Sequence, residues 1–405
     1  MTDRISRAYE DAVASKLLAG IAAIAGRKNG DTLYQKSFGR ASLKEGREDA
    51  FTSSTICAMA STTKLMTSVA VLQCVEQGKL DLDADARPLL PEMGKYGVIT
   101  GFDDEKNEAT FEADSTPISL RMLLSSTSGH EYDWLNPLLG QWRASRNEIP
   151  WSGPLLTDKS AIPLVFAPGT GWAYGAGWDW AGRLVEIASG LTLEDFMHKH
   201  IWTPLGVEKE FSFWPKTKPE MKSRMADIST LNEAGEPPAT DEPTFDILFG
   251  GTECLGGGGG FGSAEGYYTF LSALFRRDNR LLTADSYTEL FRPQLDSKAE
   301  EAFNRYLVLS PAHEQFIGMG IPKTIRKSWS FAGMVALSGQ EGRFKPGATF
   351  WGGVPCMMWF MDHEAGICGT AFCQMLPPMH PKIMALHEEF QRGSFEAALA
   401  EASRL

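Results

Sequence analysis

The amino-acid sequence predicts an α+β fold, in which an antiparallel sheet is flanked by helices and a helical domain is inserted into the chain that forms it. Strand patterns occur near the beginning of the chain and again in its last third, whereas residues 84–250 alternate short helical patterns with long loops. Strands at both ends of a chain can share one sheet if the segment between them forms a separate unit. We therefore expect a sheet domain formed by residues 1–55 and 250–405 and a mostly helical domain formed by residues 56–249, with a cleft between them.

The predicted strands are bounded by turn residues. Residues 19–39 contain two strand patterns joined at Asn29-Gly30, a dipeptide typical of two-residue hairpin turns. Residues 357–375 contain two further apolar strands around a turn, and residues 328–338 supply another strand. These segments are the expected members of the sheet.

A long apolar helix is predicted to begin at Ser61. Leu65, Val69 and Leu72 recur at helical spacing, and Gly78 is a suitable residue to follow the end of the helix. The segment between Lys64 and Glu76 is almost uncharged, so this helix should be central in the fold and not superficial.

A second helix is predicted from its capping residues. Thr192 precedes Asp195 by three residues, a variant of the capping box, in which the first side chain accepts a hydrogen bond from the backbone three residues later. Proline has no backbone N–H to donate inside a helix. We therefore expect this helix to begin at Thr192 and to end before Pro204.

Composition and charge exclude several classes of protein. The 405 residues are 43% apolar and 22% charged, which is typical of a globular protein and not of a disordered one. The net charge of −12 makes nucleic acid and anionic membrane surfaces unexpected partners. We see neither a secretory signal nor an apolar run of ~18 residues, so we expect a cytoplasmic protein without a membrane span. The six cysteines lie mostly in apolar runs and are expected to be reduced core thiols.

The spacing of Ser61 and Lys64 is compatible with nucleophilic catalysis. A serine hydroxyl needs a base beside it, and residues three apart share one face of a helix. The pKa of an unperturbed lysine is ~10.4, but burial lowers it, and a neutral amine can then accept the proton of the hydroxyl. A helix N-terminus also presents backbone N–H groups to a developing oxyanion.

This pair alone is weak evidence for an enzyme. About one Ser-x-x-Lys match is expected by chance in a chain of this composition and length. The alternative interpretation is a serine that caps the helix, followed by a lysine that faces solvent. The uncharged helix after Lys64 argues against that alternative.

Two further motifs follow in order. PGTGWAYGAGWDWAGRLVE at 168–186 contains Tyr174, and FWGGVP at 350–355 contains a Trp-Gly-Gly triplet. Together with STTK at 61–64, they resemble the three motifs of the class C β-lactamase and penicillin-binding-protein type of serine hydrolases and acyltransferases. That family carries Ser-x-x-Lys, then a tyrosine motif, then Lys/His-Thr-Gly or Trp-Gly-Gly on an edge strand. The resemblance implies a β-lactamase-like fold with its active site in the cleft between the two domains.

Supporting segments extend the resemblance along most of the chain. LLSSTSG at 123–129 and the glycine-rich loop and helix at 257–275 resemble segments of the same family. LMTSVAVLQCVEQGKLDLD at 65–83, with the tyrosine and Trp-Gly-Gly segments, resembles more narrowly the fungal acyltransferases of the lovastatin pathway and related polyketide esterases. Those enzymes move acyl groups onto polyketide alcohols or hydrolyse them, so the resemblance implies an acyl-Ser61 intermediate.

The resemblance assigns roles to three catalytic residues and to the oxyanion hole. Ser61 is the expected nucleophile, Lys64 the base, and Tyr174 a proton donor whose pKa the lysine charge would lower. The backbone N–H groups of Ser61 and Val354 are the expected oxyanion hole. The alternative for Tyr174 is a core tyrosine.

The same resemblance predicts the residues that bind substrate. Gly352 and Gly353 should let their strand approach the substrate, although a strand bulge would also explain them. Trp351 stands where a cation is common, which argues against β-lactam or D-alanyl peptide substrates. Trp172 and Trp178 are further candidates for an apolar pocket, with core packing as the alternative.

Two positions depart from the family pattern. The third residue of the tyrosine motif is commonly an amide, and this chain has Ala176 there and then Gly177, so an orienting side chain is missing or supplied elsewhere. Ser126 stands where a histidine is frequent, and we interpret that position as structural.

Other patterns carry no comparable argument. The GGGGG run at 256–260 is not followed by Gly-Lys-Ser/Thr, so a phosphate-binding loop is not predicted. His198 and His200 are two apart on a predicted helix and point to different faces, which disfavours a metal site. A Gly-x-Ser-x-Gly elbow is absent from the sequence, which excludes the α/β-hydrolase alternative.

The expected function is serine-dependent acyl transfer on esters or thioesters of hydrophobic, polyketide-like metabolites, without a metal or organic cofactor. The expected partners are a small ester or thioester donor and an alcohol acceptor, with an acyl-carrier domain as a further candidate donor. A carboxylesterase that uses the same side chains is the main alternative. A β-lactamase, a D-alanyl peptidase and a binding protein without catalysis are less favoured.

Overall fold

The computed structural model describes residues 2–402 of the chain. Its α-helices, in chain order, are α1 (Thr2–Ala14), α2 (Thr63–Glu76), α3 (Leu120–Ser125), α4 (Pro137–Ser145), α5 (Leu156–Ser160), α6 (Gly177–Ser189), α7 (Leu193–Met197), α8 (Thr203–Leu205), α9 (Pro219–Lys222), α10 (Ala264–Phe275), α11 (Ala284–Phe291), α12 (Ser297–Tyr306), α13 (Pro311–Ile317) and α14 (Pro381–Ala402). Turns of 3₁₀-helix lie at Ala60–Thr62 and Pro215–Thr217, and a π-helical turn lies at His198–Trp202.

The strands are short in the middle of the chain and longer at its ends. In chain order they are β1 (Gly20–Arg27), β2 (Thr32–Gly39), β3 (Ile56–Ala58), β4 (Val98–Asp103), β5 (Glu108–Glu112), β6 (Phe211–Ser212), β7 (Ser229–Thr230), β8 (Thr240–Asp241), β9 (Phe261–Ser263), β10 (Lys327–Trp329), β11 (Met334–Ala336), β12 (Thr349–Gly353), β13 (Met357–Asp362), β14 (Ile367–Cys373) and β15 (Met375–Leu376).

The largest sheet within residues 2–402 has seven strands in the order β10-β11-β12-β13-β14-β1-β2, and every neighbouring pair is antiparallel. The N-terminal hairpin pairs with the C-terminal strands, because Ile21 lies opposite Cys373 and Arg27 opposite Ile367. The two ends of the chain therefore build one sheet, as the sequence predicts. The exact limits of the two domains stay predictions.

Helices cover both faces of this sheet. Phe390 of α14 packs on Phe360 of β13, and Tyr267 of α10 packs on Phe372 of β14. Phe360 lies opposite Gly369, three residues before Phe372, so the two phenylalanines point to opposite faces. Helices α14 and α10 are therefore on opposite faces of the sheet, and α1 packs against α14.

Helix α2 runs through the interior and positions the candidate nucleophile. Every residue from Thr63 to Cys74 is buried, which explains why this helix is almost uncharged. It packs against α6 on one side, and the 3₁₀ turn Ala60–Thr62 that precedes it contacts β12 of the sheet. The expectation of a central helix is confirmed, and Gly78 follows its end with the left-handed φ of +66°.

The local predictions have mixed outcomes. The hairpin over 19–39 is confirmed as β1 and β2. The single strand expected at 328–338 is wrong, because a turn at Ser330–Gly333 divides it into β10 and β11. The strands expected within 357–375 are confirmed as β13 and β14.

The helix at Thr192 begins as predicted and ends later than predicted. The Thr192 hydroxyl accepts the N–H of Asp195, but helical structure continues past Pro204 to a left-handed cap at Gly206. The π-helical turn at His198–Trp202 resets the hydrogen-bond pattern, so that Pro204 lies in the first turn of α8, where a missing N–H is tolerated.

The remaining structural expectations concern cysteines and membrane spans. All six cysteines are buried and free, as expected for core thiols. Within residues 2–402, none of the helices combines the length and the apolar character needed to cross a bilayer.

Candidate active site

Ser61 lies in a strained turn at the N-terminal end of α2. Ala60 has a φ of +43°, in the left-handed region that residues with a Cβ rarely adopt. Strand β12 passes directly behind this turn, because a Cβ added to Gly353 would lie 2.5 Å from the carbonyl oxygen of Met59. Only glycine allows this approach, which brings the Trp-Gly-Gly triplet against the turn that carries Ser61.

The side chain of Lys64 points back toward Ser61 and away from solvent. Its Nζ lies 3.1 Å from Oγ of Ser61, 3.2 Å from the hydroxyl of Tyr132 and 2.6 Å from the carbonyl oxygen of Gly257. The residue is only 2% exposed. The alternative of a solvent-facing lysine is therefore excluded.

Tyr174 completes the group of three residues that the sequence predicts. Its hydroxyl donates to Oγ of Ser61 across 2.8 Å. The backbone on either side is fixed, because the N–H of Ala173 donates to the carbonyl of Ser126 and the N–H of Tyr132 donates to the carbonyl of Tyr174. Position 126 thus supports the tyrosine through its backbone, which fits the structural interpretation of that position.

Burial lowers the pKa of Lys64 to about 7. The negative charge of Asp179 opposes this shift and raises the pKa. At neutral pH a large fraction of the amine is consequently uncharged. An uncharged amine has two N–H groups and one lone pair, which match Gly257, Tyr132 and the hydroxyl proton of Ser61.

The expectation that lysine lowers the pKa of the Tyr174 phenol is wrong. Burial raises its pKa well above the usual range, and the hydrogen bond to Ser61 only partly opposes that shift. Tyr174 therefore stays protonated at neutral pH. It acts as a hydrogen-bond donor to Ser61 and not as a phenolate base.

Two residues outside the tyrosine motif, Tyr132 and Gly257, hold the amine of Lys64. Both contact Nζ of Lys64 directly. Tyr132 follows the LLSSTSG segment and Gly257 lies in the GGGGG run, but neither segment contains a local signal for contact with the amine. Sequence reasoning missed these two residues because only the tertiary fold brings them to Lys64.

Asp179 is a buried acid behind Lys64. Its Oδ1 accepts the N–H of Gly257 at 2.9 Å, whereas Oδ2 has no hydrogen-bond partner among the described residues. Burial raises the pKa of this carboxyl to about 6, and the charge of Lys64 opposes the shift. Asp179 lies five positions after Tyr174 in the tyrosine motif, and no local pattern in the sequence distinguishes it as a functional residue.

A cavity of about 270 Å³ opens beside Ser61 and Tyr174. None of the described residues that line it is a lysine, arginine, histidine, aspartate or glutamate. Two of its aromatic side chains are exposed, Trp134 at 40% and Phe249 at 41%, whereas Trp151, Phe245 and Phe316 are half-buried. Its main aromatic wall consists of Tyr132, Trp134, Trp151, Phe245, Phe249 and Phe316.

The expected binding residues divide into two groups. Trp351, Gly352, Gly353 and Val354 line the cavity with Ser61, and the Trp351 ring packs edge-on against Tyr174 at 5.2 Å. Strand β12 lies inside the sheet, so the edge-strand expectation is wrong for the strand as a whole. Its pairing with β11 covers only Thr349 and Phe350, which leaves the later residues beside Ser61.

Trp172 and Trp178 do not line this cavity, so the expectation that they bind substrate is corrected. Trp178 is 1% exposed and its indole N–H donates to the hydroxyl of Ser68. Trp172 packs among Phe303, Tyr306 and Trp329. Both rings therefore belong to the hydrophobic core, Trp178 beside α2 and Trp172 beside α12. Burial of their large aromatic surfaces stabilises the fold.

Comparison with known proteins agrees with this geometry. The family model described as β-lactamase matches residues 6–391. The structure also superimposes on simvastatin synthase from Aspergillus terreus, in a mutant form, with a TM-score of 0.89 and 32% identity, covering 98% of this chain and 95% of that one. The fold is therefore the β-lactamase-like fold that the motifs imply.

Curated relatives are similar over nearly the whole chain. The monacolin J acid methylbutanoyltransferase of Aspergillus terreus is 34% identical over 394 residues, which cover 96% of this chain and 94% of the relative. The lovastatin esterase of Penicillium rubens is 31% identical over 381 residues, which cover 93% of this chain and 94% of the relative. The chain therefore belongs to the β-lactamase family and is an enzyme of its acyltransferase and esterase type.

Proposed function

We propose that the enzyme transfers an acyl group through an ester of Ser61, from a small ester or thioester donor to an alcohol on a hydrophobic, polyketide-like molecule. The observation that carries this proposal is the contact between Ser61, which lines an apolar cavity, and Lys64, a buried amine with a pKa of about 7. Such an amine can remove the serine proton at neutral pH.

The first half-reaction begins with the proton of Ser61. Because Tyr174 donates to one lone pair of Oγ, the serine hydrogen is free to point toward Nζ of Lys64. Oγ attacks the carbonyl carbon of the donor while Lys64 takes the proton. The carbonyl π electrons move onto the oxygen and form a tetrahedral oxyanion.

The oxyanion needs hydrogen-bond donors at the wall of the cavity. The N–H of Ser61 belongs to the first turn of a helix, where backbone donors lack intrahelical partners, and Val354 lies across the same cavity. Collapse of the intermediate breaks the bond to the leaving thiol or alcohol. That group takes a proton from Lys64 directly or through the hydroxyl of Tyr174, and Ser61 is left as an ester.

The second half-reaction is the reverse with a different nucleophile. The acceptor alcohol gives its proton to Lys64 and attacks the acyl-Ser61 carbonyl. Collapse returns a proton to Oγ of Ser61 and releases the new ester. If water takes the place of the alcohol, the same steps release a carboxylic acid, so hydrolysis is the second candidate function.

The character of the cavity supports a hydrophobic acceptor. Its aromatic wall can bury an apolar polycyclic or acyl group, and the described residues that line it include no charged side chain to hold a carboxylate. The relatives named as a methylbutanoyltransferase and an esterase support both acceptors, alcohol and water. We place transfer first because an apolar cavity favours an organic acceptor over bulk water.

The acyl-enzyme is tested by mass spectrometry of the intact protein. A short acyl thioester, 2-methylbutanoyl-N-acetylcysteamine, should add one acyl group to the unmodified protein and none to the Ser61→Ala variant. Ser160→Ala is the matched control, because Ser160 is buried and its hydroxyl has no partner among the described residues. Absence of the adduct in unmodified protein, or its persistence in Ser61→Ala, contradicts the proposal.

The identity of the acceptor is tested by measuring how the acyl group divides between water and an added alcohol. With the same thioester, addition of monacolin J should divert product from the free acid to the ester. If the rate of acid release is unchanged and no ester forms with this or other polycyclic alcohols, the enzyme is an esterase. Replacing the thioester by an acyl-carrier domain that holds the same acyl group tests that domain as a donor.

A further inference from the structure

We propose that Asp179 is a positioning residue for Lys64, which holds the carbonyl of Gly257 against the amine and keeps a negative charge beside it. This inference rests on the proposed role of Lys64 as the base. It assigns a function to a buried acid that the catalytic steps do not use directly.

The contacts link Asp179 to Lys64 through one residue. Gly257 donates its N–H to Oδ1 of Asp179 at 2.9 Å and accepts an N–H of Lys64 on its carbonyl oxygen at 2.6 Å. A Cβ at Gly257 would lie 2.6 Å from Oδ2 of Asp179, so the carboxyl group lies directly against this glycine. The position of the acid therefore fixes the position of the carbonyl.

Asp179 is also tied to the tyrosine motif. It lies in the first turn of α6, five residues after Tyr174, and α6 packs along α2, which carries Lys64. A displacement of Asp179 would move Gly257 relative to an amine that is held by a different helix. The acid thus joins the segments that carry the base and the proton donor.

Among the described residues, only one oxygen of the Asp179 carboxyl group has a hydrogen-bond partner. Asp179 is fully buried, and Oδ2 has no hydrogen-bond partner among the described residues. A buried charge with an unpaired oxygen is costly to stability unless a cation compensates it. The cations that interact with it are Lys64 and Lys159.

Lys159, the second of these cations, forms its hydrogen bonds with other residues. Nζ of Lys159 donates to the carbonyl oxygens of Trp151 and Phe249, so this lysine holds two segments of the cavity wall. The other titratable groups around Lys64 are the hydroxyls of Tyr132 and Tyr174, whose pKa values are both raised by burial. Asp179 is therefore the group that supplies negative charge to Lys64 near neutral pH.

Removal of the Asp179 charge should shift the pH dependence of kcat/KM to lower pH. The carboxylate stabilises protonated Lys64, so its removal leaves burial as the dominant effect and lowers the pKa of the amine further. In Asp179→Asn the acid limb of kcat/KM should move to lower pH by about one unit. The amide oxygen can still accept the N–H of Gly257, so the fold should persist. The plateau rate should fall about tenfold, because a less basic amine is a weaker proton acceptor.

The experiment measures the pH dependence of kcat/KM with p-nitrophenyl butanoate in unmodified enzyme, Asp179→Asn and the control Asp362→Asn. Asp362 is equally buried and accepts two backbone N–H groups, from Lys345 and Ala365. Its variant should leave the acid limb unchanged. If Asp179→Asn does not fold, Asp179→Ser removes the same charge from a smaller side chain and takes its place.

The outcomes separate the two proposals. A downward shift of the acid limb in the Asp179 variant alone supports the inference. An unshifted limb, or an equal shift in Asp362→Asn, overturns it while the acyl-Ser61 proposal stands. If unmodified enzyme forms no acyl adduct on Ser61, the proposed function itself fails.

Discussion

The hydroxyl of Tyr132 lies 3.2 Å from Nζ of Lys64, and the N–H of the same tyrosine donates to the carbonyl of Tyr174 at 3.1 Å. One residue thus joins the candidate base to the backbone of the candidate proton donor. Tyr132 therefore orients Lys64 from outside the tyrosine motif, which has Ala176 and not an amide at its third position.

We expect Tyr132→Phe to lower kcat about tenfold with little change in KM, because it removes one buried hydrogen bond that orients Lys64. Steady-state kinetics with p-nitrophenyl butanoate measure the effect. Tyr287→Phe is the control, since it also removes the hydroxyl of a buried tyrosine; that hydroxyl donates to the carbonyl of Asp278, away from the site. Equal losses in both variants would mean that Tyr132 has no particular role.

Tyr174→Phe should lower kcat by about 10²- to 10⁴-fold, because the variant loses the proton donor to Ser61 while the ring still packs against Trp351. Binding of an unreactive acyl ketone should be almost unchanged. Full activity of the variant would show that the phenol moves no proton in the rate-limiting step.

The pH profile of kcat/KM should rise with a midpoint near 7, because protonated Lys64 cannot accept the proton of Ser61 and its pKa is about 7. Above that midpoint the rate should stay level to pH ~10, since burial raises the pKa of Tyr174 and keeps its hydroxyl protonated. Rates measured between pH ~5 and ~10 test both limbs. A midpoint near the pKa of a free lysine would contradict the role of Lys64.

Gly353→Ala should lower kcat about 10²-fold, because the new Cβ would lie 2.5 Å from the carbonyl of Met59 and would push β12 away from Ser61. The control is Gly140→Ala in α4, where the nearest atom to a new Cβ is 3.8 Å away. We expect the control to keep full activity. Wild-type kinetics in Gly353→Ala would show that the close approach of β12 is not needed.

Acyl donors with a carboxylate in the acyl group should react at least about 10²-fold more slowly than neutral donors of similar size, because none of the cavity-lining side chains within residues 2–402 is charged. A succinyl thioester and the same thioester with its free carboxyl group converted to a methyl ester form a matched pair, in which only the methyl ester is neutral. The ratio of their kcat/KM values measures the discrimination. A ratio near one would mean that the acyl group does not enter the cavity.

Local patterns in the sequence determined a large part of this fold and site. Asn29-Gly30 predicted the first hairpin, and the uncharged segment after Lys64 predicted a buried helix. The spacing of Ser61 and Lys64 predicted their contact, since residues three apart on a helix are neighbours whatever surrounds them. The Trp-Gly-Gly triplet predicts a close approach of its strand to the substrate, which stays a prediction; the structure shows Gly353 against Met59, beside Ser61.

Only the tertiary structure decided what surrounds the reacting atoms. Tyr132, Asp179 and Gly257 lie 68 to 193 positions from Lys64 along the chain, and no local pattern places them beside it. Trp172 and Trp178 look equally suited to a pocket in the sequence, but packing puts both in the core. The direction of each pKa shift depends on burial and on charges from distant segments. For this reason the sequence predicts a lowered pKa for Tyr174, whereas burial in the folded chain raises it. Helical spacing is a local property of the backbone, whereas desolvation and cavity shape are properties of the packed whole.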